Sequence, residues 1–465
     1  MIERLKPYPK YKDSGLPWLG RVPEHWGMRR AKVLLRERVE KGFPSEPLLA
    51  ATQSKGVVRK EDYGTRTVTA QKDFHLLKLV EVGDFVISLR SFEGGIEVAH
   101  SRGIISPAYT VLEPRSKATS GYLRHFFKSP TFISSLTLFV TGIREGQNID
   151  YERLSRAFLP LPPADEQAAI VRFLDHATHR LDKAIRAKRK TIALLNEQKQ
   201  AIIHRAVTRG LNPDVPLKNS GIPWLGQIPV HWEVRKIKSL ASTVGGMTPN
   251  KAEERYWNGT TPWVSPKDMK VREIADAQDH ITAAALRETS ISVIPPGAIL
   301  IVVRGMILAR TFPVALTKVA VTINQDMKAL RPKPELNSDY LVSLLTGIQR
   351  EVLQLVEIAG HGTCCLRTDS WGAFMLPLPS IIEQEAITKF LKSELAIVDA
   401  TISRIEREIS LLREYRTRLI ADVVTGKLDV REAAAHLPEM ESAPADVPEL
   451  AELEESGEEL AEENI

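Results

Sequence analysis

Residues 13–26 read DSGLPWLGRVPEHW, and residues 219–232 read NSGIPWLGQIPVHW. Nine of the fourteen positions are identical, with Pro-Trp-Leu-Gly followed by Pro-x-His-Trp at one spacing. A second pair of segments repeats later. FLPLPPADEQ begins at residue 158 and FMLPLPSIIEQ at 374, and in both a Leu-Pro-Leu-Pro stretch is followed by Glu-Gln heading an apolar-periodic run. The copies lie 206 residues apart at the opening segment and 217 apart from Leu159 and Leu376 onward, so the second has gained eleven residues in between. Such a chain folds as two units of one plan, alike at their start and end and unlike in the middle. The length of 465 residues agrees, since it exceeds what one hydrophobic core serves.

Proline stops just before Glu166 and Glu383 mark two helix starts, and an acidic residue in the first turn suits the positive end of a helix. From Leu391 the apolar residues recur at alternating steps of four and three: Leu391, Leu395, Val398, Ile402, Ile405, Ile409, Leu412, then Arg416, Leu419 and Val423. This is a heptad seam, narrower than the stripe of an ordinary surface helix. The first copy keeps the register more weakly, through Leu174, Thr178, Leu181, Ile185, Lys188, Ile192, Leu195, Lys199, Ile202 and Ala206. Lys199 and Arg416 occupy the equivalent seam position, where a polar residue costs stability but fixes register. Two helices of about 42 residues, roughly 63 Å at about 1.5 Å per residue, are expected to pair within the chain as a spacer; the same heptads would also serve an oligomerisation coil. Gly210 and Gly426 supply the stops.

The interiors read as mixed α/β with short strands. VGDFVISLRSFEGG and PPGAILIVVRGMILAR each place Gly, an apolar strand and then Arg, with Gly83 to Arg90 and Gly297 to Arg304 equally spaced. SPAYTVLEP at 106–114 and NQDMKALRP at 324–332 follow as second strands. Apolar strands flanked by Gly and Pro are core, so recognition is expected from polar and basic side chains on the loops.

Charge indicates the partner. Residues 436–465 hold eleven acidic side chains and no Lys or Arg, which leaves 63 basic against 47 acidic residues in the first 435 positions, a net +16. A body so basic suggests a polyanion, most commonly nucleic acid. The acidic end has low complexity and few apolar anchors, and is expected to be disordered. No segment approaches the roughly 18 apolar residues of a membrane span, and the first residues lack a signal-peptide core, so a cytoplasmic location is expected. Cys364 and Cys365 are adjacent, which is neither a disulfide framework nor a zinc spacing.

Catalytic motifs are absent. The sequence has no G-x-x-x-x-G-K-[ST] phosphate loop, no G-x-G-x-x-G and no H-E-x-x-H. The Pro-Pro pairs in LPPAD and IPPGA lack the flanking residues with which an amino-methyltransferase holds its base. Glu197-Gln198-Lys199 has a nuclease-like spacing but lies on the helix, with Lys199 in the seam. His25 and His231, beside tryptophans, read as packing or hydrogen-bonding residues.

The duplicated opening, the Leu-Pro-Leu-Pro then Glu-Gln helices, the Ser-Pro-Ala-Tyr and Asn-Gln-Asp segments and the unlike interiors together resemble the DNA-specificity subunit of type I restriction-modification systems, over residues 1–430. The resemblance implies a mixed α+β fold with two similar target-recognition domains, residues 1–165 and 210–382. Between them run two long antiparallel helices, residues 166–209 and 383–428, forming an intramolecular coiled coil, and 429–465 is left as a tail. It implies a non-catalytic chain that reads a bipartite, asymmetric site in double-stranded DNA. Its implied partners are two copies of an adenine methyltransferase subunit and the motor-nuclease restriction subunits of a phage-defence system. S-adenosylmethionine, ATP and Mg then belong to those partners, and this chain holds no cofactor or metal. An interaction scaffold that no longer reads DNA is the alternative.

Base and phosphate contacts require polar side chains that reach the grooves. In the first domain the candidates are Lys55, Arg59, Lys60 and Arg66 in the loop SKGVVRKEDYGTR, with Arg90 after the strand. In the second they are Lys251, Arg255 and Trp257 in NKAEERYWNG, with Lys267, Arg304, Asn324 and Gln325.

Overall fold

The computed structural model describes residues 5–53, 55–63, 73–89, 91–141, 148–359 and 362–438. The chain forms two compact units, Met1–Ala187 with Arg407–Ile465, and Lys188–Glu406. Two helices dominate it, Ala164–Arg209 of 46 residues and Ile381–Val424 of 44, and each unit contains part of both.

The units repeat one sheet. In the first, four antiparallel strands lie in the order Leu35–Arg38, Thr110–Pro114, Phe85–Ile87, Glu97–Val98. In the second, Ala241–Gly245, Met327–Pro332, Ile299–Val302 and Val314–Thr317 take the same order, and Glu273–Ile274 adds a parallel edge. The strands within 82–95 and 296–310 are short, three and four residues. Gly83 and Gly297, both at positive φ, turn the chain immediately before them. The offset between the copies is still 206 where Leu35 aligns with Ala241 and has become 214 where Gly83 aligns with Gly297. Part of the inserted length therefore falls in the stretch that in the second unit builds the strands Trp257–Val264 and Asp279–Ile281.

The repeated segments build the frame around these sheets. DSGLPWLGRVPEHW and its copy make the turn between Tyr11–Asp13 and Arg21–Pro23, and between Leu217–Asn219 and Gln227–Pro229. The strand that follows each copy, Gly27–Arg30 or Glu233–Lys236, pairs with the Leu-Pro-Leu-Pro strand of its own unit, Phe158–Leu161 or Met375–Leu378. Trp26 and Trp232 at the segment ends are fully buried. The indole N–H of Trp26 donates to Glu166 at 2.8 Å and that of Trp232 to Glu383 at 2.9 Å, while His25 and His231 reach the same carboxylates at 2.7 and 3.0 Å. The histidines are hydrogen-bonding residues as expected. The helix-start glutamates do more than suit a helix dipole, because each is the acceptor onto which a unit's opening segment docks.

Each unit also holds the end of the other long helix. In the second, a Cβ on Gly210 would sit 3.3 Å from the Trp232 ring and 3.2 Å from Glu383, so the first helix ends beside the start of the second. In the first unit, Gly426 at φ +77 is pressed against Pro23 and Trp26, and a Cβ there would lie 2.3 Å from Pro23. The helix segments within each unit therefore run antiparallel. Two fully buried tyrosines repeat the anchor: Tyr122 donates to the Val424 carbonyl at 2.8 Å, and Tyr340 to that of Val207 at 3.4 Å.

The seam residues Leu181, Ile185, Ile192, Leu195, Val398, Ile402, Ile405, Ile409 and Leu412 are all buried or half-buried. Lys199 pairs with Asp399 at 2.5 Å in the second unit, and Arg416 with Asp182 at 2.7 Å in the first. The two aspartates are themselves 217 residues apart. Each basic seam residue is thus neutralised across the seam by the counterpart of the other's partner, a charge-paired register lock.

The segment from 429 onward differs from expectation at its start. Arg431–Ala435 is a helix, and Val430, Ala434 and Leu437 are buried in the core of the first unit. Their spacing gives this short stretch one apolar face. Arg172 donates to the Leu437 carbonyl, Asp429 N–H to the Lys6 carbonyl at 2.8 Å, and Arg431 lies over the Tyr8 ring. Residues 439–465 lie outside the described residues.

Candidate nucleic-acid interface

In the first unit a tight turn presents Lys55. The Thr52 hydroxyl accepts from the Lys55 N–H at 2.9 Å and donates to the Gly56 carbonyl at 3.0 Å, closing the hairpin between Leu49–Thr52 and Gly56–Arg59. Gly56, at φ +72, admits no side chain, because a Cβ would lie 2.7 Å from the Val98 carbonyl. The Lys55 ammonium is buried, without a hydrogen-bond partner among the described residues, 5.7 Å from the Tyr63 ring centre. An ammonium over a ring face makes an undirected contact, so among the described residues its donors are uncommitted. Arg59 is exposed and loosely faces Glu61 at 3.7 Å, and Lys60 begins the turn Lys60–Asp62. Arg66 and Arg90 lie outside the described residues.

In the second unit three segments converge. A Cβ on Gly246 would fall 1.9 Å from the Asn324 carbonyl, so the loop after the strand Ala241–Gly245 lies directly on the turn 323–326. Met247 N–H donates to Ile323 at 2.9 Å, the Thr248 hydroxyl donates to Gln325, and Arg304 N–H donates to Asp326 at 3.2 Å. Gln325 and Arg304 are exposed on this face, as is Lys251 in its own turn. Trp257 supports that turn, donating to the Asn250 carbonyl at 3.2 Å and meeting Trp263 edge-on at 5.2 Å. Lys267 is exposed on the turn Pro266–Asp268, which Ser265 and Asp268 cap reciprocally.

Two candidates are otherwise engaged. Asn324 is buried, its side-chain oxygen accepting from the Asp326 N–H at 3.1 Å, so it shapes the turn. Arg255 faces Glu253 at 3.0 Å and Glu288 at 2.8 Å and stacks on Tyr256, which leaves little free charge for a phosphate. Thr248 and Met247 were not singled out from the sequence. Their only signal was Gly245-Gly246, a doublet announcing a close backbone approach.

The anchor of the first unit's opening segment is strongly polar and centred on a buried carboxylate. Tyr8, Trp26 and His25 all contact Glu166, whose side chain is 2% exposed. Burial, and then that carboxylate, hold the Tyr8 phenol far above its ordinary range. Among the described residues no cluster of three or more His, Cys, Asp or Glu is arranged to hold a metal, and no helix is long and apolar enough to cross a membrane.

Residues 229–410 match the family described as the type I restriction modification DNA specificity domain. Residues 229–410 thus carry a domain of the type I restriction-modification DNA-specificity family, and the chain is similar to specificity subunits of type I restriction enzymes. It is 32% identical over 183 residues to the type I restriction enzyme EcoR124I/EcoR124II specificity subunit of Escherichia coli, covering 39% of this chain and 45% of that one. It is 34% identical over 172 residues to the MjaIX specificity subunit of Methanocaldococcus jannaschii, covering 36% and 38%. The chain thus spans less than half the length of these two relatives. A longer, weaker similarity, 24% over 370 residues, covers 76% of the chain and 81% of the MjaVIII specificity subunit of the same organism. In fold, it superposes with a TM-score of 0.64 at 16% identity on a chain from a study of complex assembly and conformational transition of the type I R-M system, covering 88% of this chain and 99% of that one.

Proposed function

We propose that the chain is a non-catalytic DNA reader whose two units each recognise one half of a bipartite, asymmetric site. Residues 1–165 and 210–382 are the readers, and the helices 166–209 and 383–428 are the spacer. The observation that carries this is the contrast between the two copies. The anchors recur pair by pair, Trp26 on Glu166 and Trp232 on Glu383, Tyr122 on Val424 and Tyr340 on Val207, while the segments between the sheet strands differ in length. One frame carrying two unlike surfaces suits one mode of docking and two different half-sites.

The partners follow from the same reading. Two adenine methyltransferase subunits and the motor-nuclease subunits join this chain on DNA, and S-adenosylmethionine, ATP and Mg act within them. A protein contact is supported on the second helix, where Phe390 and Ile397, 38% and 66% exposed, stand clear of the seam.

Exchanging residues 30–150 for the interior of another family member is expected to change one half-site and leave the other intact, read by sequencing methylated sites in cells carrying the partner methyltransferase. Coordinated change in both halves refutes the two-reader assignment, and a complex without sequence preference favours the scaffold reading. A second expectation concerns the acidic segment. With +16 on the first 435 positions, binding weakens steeply with salt. Removing residues 439–465, and not the packed Leu437, tightens non-specific binding at low salt with site choice unchanged. Equal affinities across a salt titration would remove any competition between that segment and DNA.

A further inference from the structure

Lys128 follows the helix Lys117–Phe126 in the first unit, and its ammonium has three acceptors. It donates to the Gln53 carbonyl at 3.0 Å, the Gly94 carbonyl at 2.8 Å and the Glu97 carboxylate at 2.6 Å. The first lies in the turn that presents Lys55, and the second in the segment Ser91–Gly94. All three donors of the ammonium are used, which fixes its position.

The surroundings show that these loops are pressed together. A Cβ on Gly94 would fall 2.6 Å from the Gln53 side chain. One on Gly95, at φ +87, would fall 2.3 Å from the Phe127 carbonyl. Two successive glycines therefore let the segment slide between the Lys55 turn and the end of the helix, and Lys128 ties what they bring near. Glu97 is 4% exposed. Burial pushes its carboxyl up to about 7, against the pull of Lys128 toward the charged form.

The second unit has a slighter version of the tie. Gln349 stands two residues after the helix Ser338–Gly347, as Lys128 stands two after Phe126, and its side-chain oxygen accepts from Thr311 at 3.4 Å. Thr311 ends the loop that follows Arg304. In both units the residue beyond the reader's helix thus reaches back to the loop after the central strand, with a charge and three bonds in the first and a single long bond in the second.

We propose that Lys128 is a positioning residue for half-site recognition, fixing the turn that presents Lys55 relative to the segment Ser91–Gly95. This rests on the two-reader assignment. A displaced turn still carries its basic side chains, so phosphate attraction survives while base discrimination, which depends on placement, is lost.

The test uses the full chain with its methyltransferase partner and compares wild type, Lys128→Met, Lys128→Arg and Glu97→Gln. Methylated sites are sequenced at a temperature where unfolding curves show each complex folded. Lys128→Met is expected to relax discrimination at the first half-site about tenfold and leave the second as sharp as in wild type. Lys128→Arg, which keeps the charge and the reach, restores part of it. Glu97→Gln keeps the acceptor and removes the charge, giving a smaller relaxation in the same half, and it carries the decision if Lys128→Met does not fold. A folded variant with both halves as sharp as wild type overturns the proposal, and so does equal relaxation of both. Wild type without any sequence preference overturns the two-reader assignment beneath it.

Discussion

Replacing Glu166 by alanine is expected to cost the first unit about 3 kcal/mol, and replacing Glu383 in the second only about 1 kcal/mol, although the residues are equivalent in the repeat. Glu166 is 2% exposed and accepts from the Tyr8 hydroxyl, the Trp26 indole at 2.8 Å and His25 at 2.7 Å. Its removal strands two buried donors, each at about 1 to 3 kcal/mol, and opens a void beside the Trp26 ring. Glu383 is 25% exposed and has no tyrosine upon it, since the position matching Tyr8 is Asp214. Water reaches His231 and takes up part of the loss. Glu166→Gln, which keeps the shape and one acceptor oxygen, falls between wild type and alanine. A urea series followed by hydrogen exchange in each unit measures both values, and equal losses in the two units would refute the asymmetry.

Removing residues 187–193 together with 405–411 is expected either to shorten the gap between otherwise unchanged half-sites or to abolish specific binding. Extending the register of Asp182–Arg416 in the first unit and Lys199–Asp399 in the second, these heptads are expected to match residue for residue, so both ion pairs survive. The spacer loses about 10 Å at about 1.5 Å per residue. At about 3.4 Å per base pair this is roughly three base pairs, with a rotation of about a third of a turn. The shortened protein either selects a site with a smaller gap or loses specific binding because its readers no longer face the groove. Removing 187–193 alone leaves the two ion pairs seven residues out of step, and the fold is destabilised. Selection from a library with random gaps is the measurement. A shortened protein that folds, binds and keeps its original gap shows that the helices do not set the spacing.

Duplication, helix positions and seam register were legible in the sequence because each rests on local or periodic signals. Pro before Glu166 and Glu383 and Gly at 210 and 426 act within a turn of where they stand. A heptad seam declares which face is covered without saying by what. Net charge pointed to a polyanion in the same way, since it does not depend on where a side chain points.

What only the tertiary structure decided were the pairings across long separations. That Trp26 serves Glu166, that Tyr122 serves Val424 and that Lys199 and Arg416 each find an aspartate depend on which distant segments folding brings together, and no local pattern encodes them. The proposed recognition surface is the clearest case. Arg255, exposed and basic, is occupied by Glu253 and Glu288, and Asn324 is turned inward, whereas Lys128, which no sequence pattern singled out, holds two loops. A residue type states which bonds a side chain is able to make. Which of them it makes depends on neighbours that folding brings from elsewhere in the chain, and a buried donor or acceptor must take the partner it finds there.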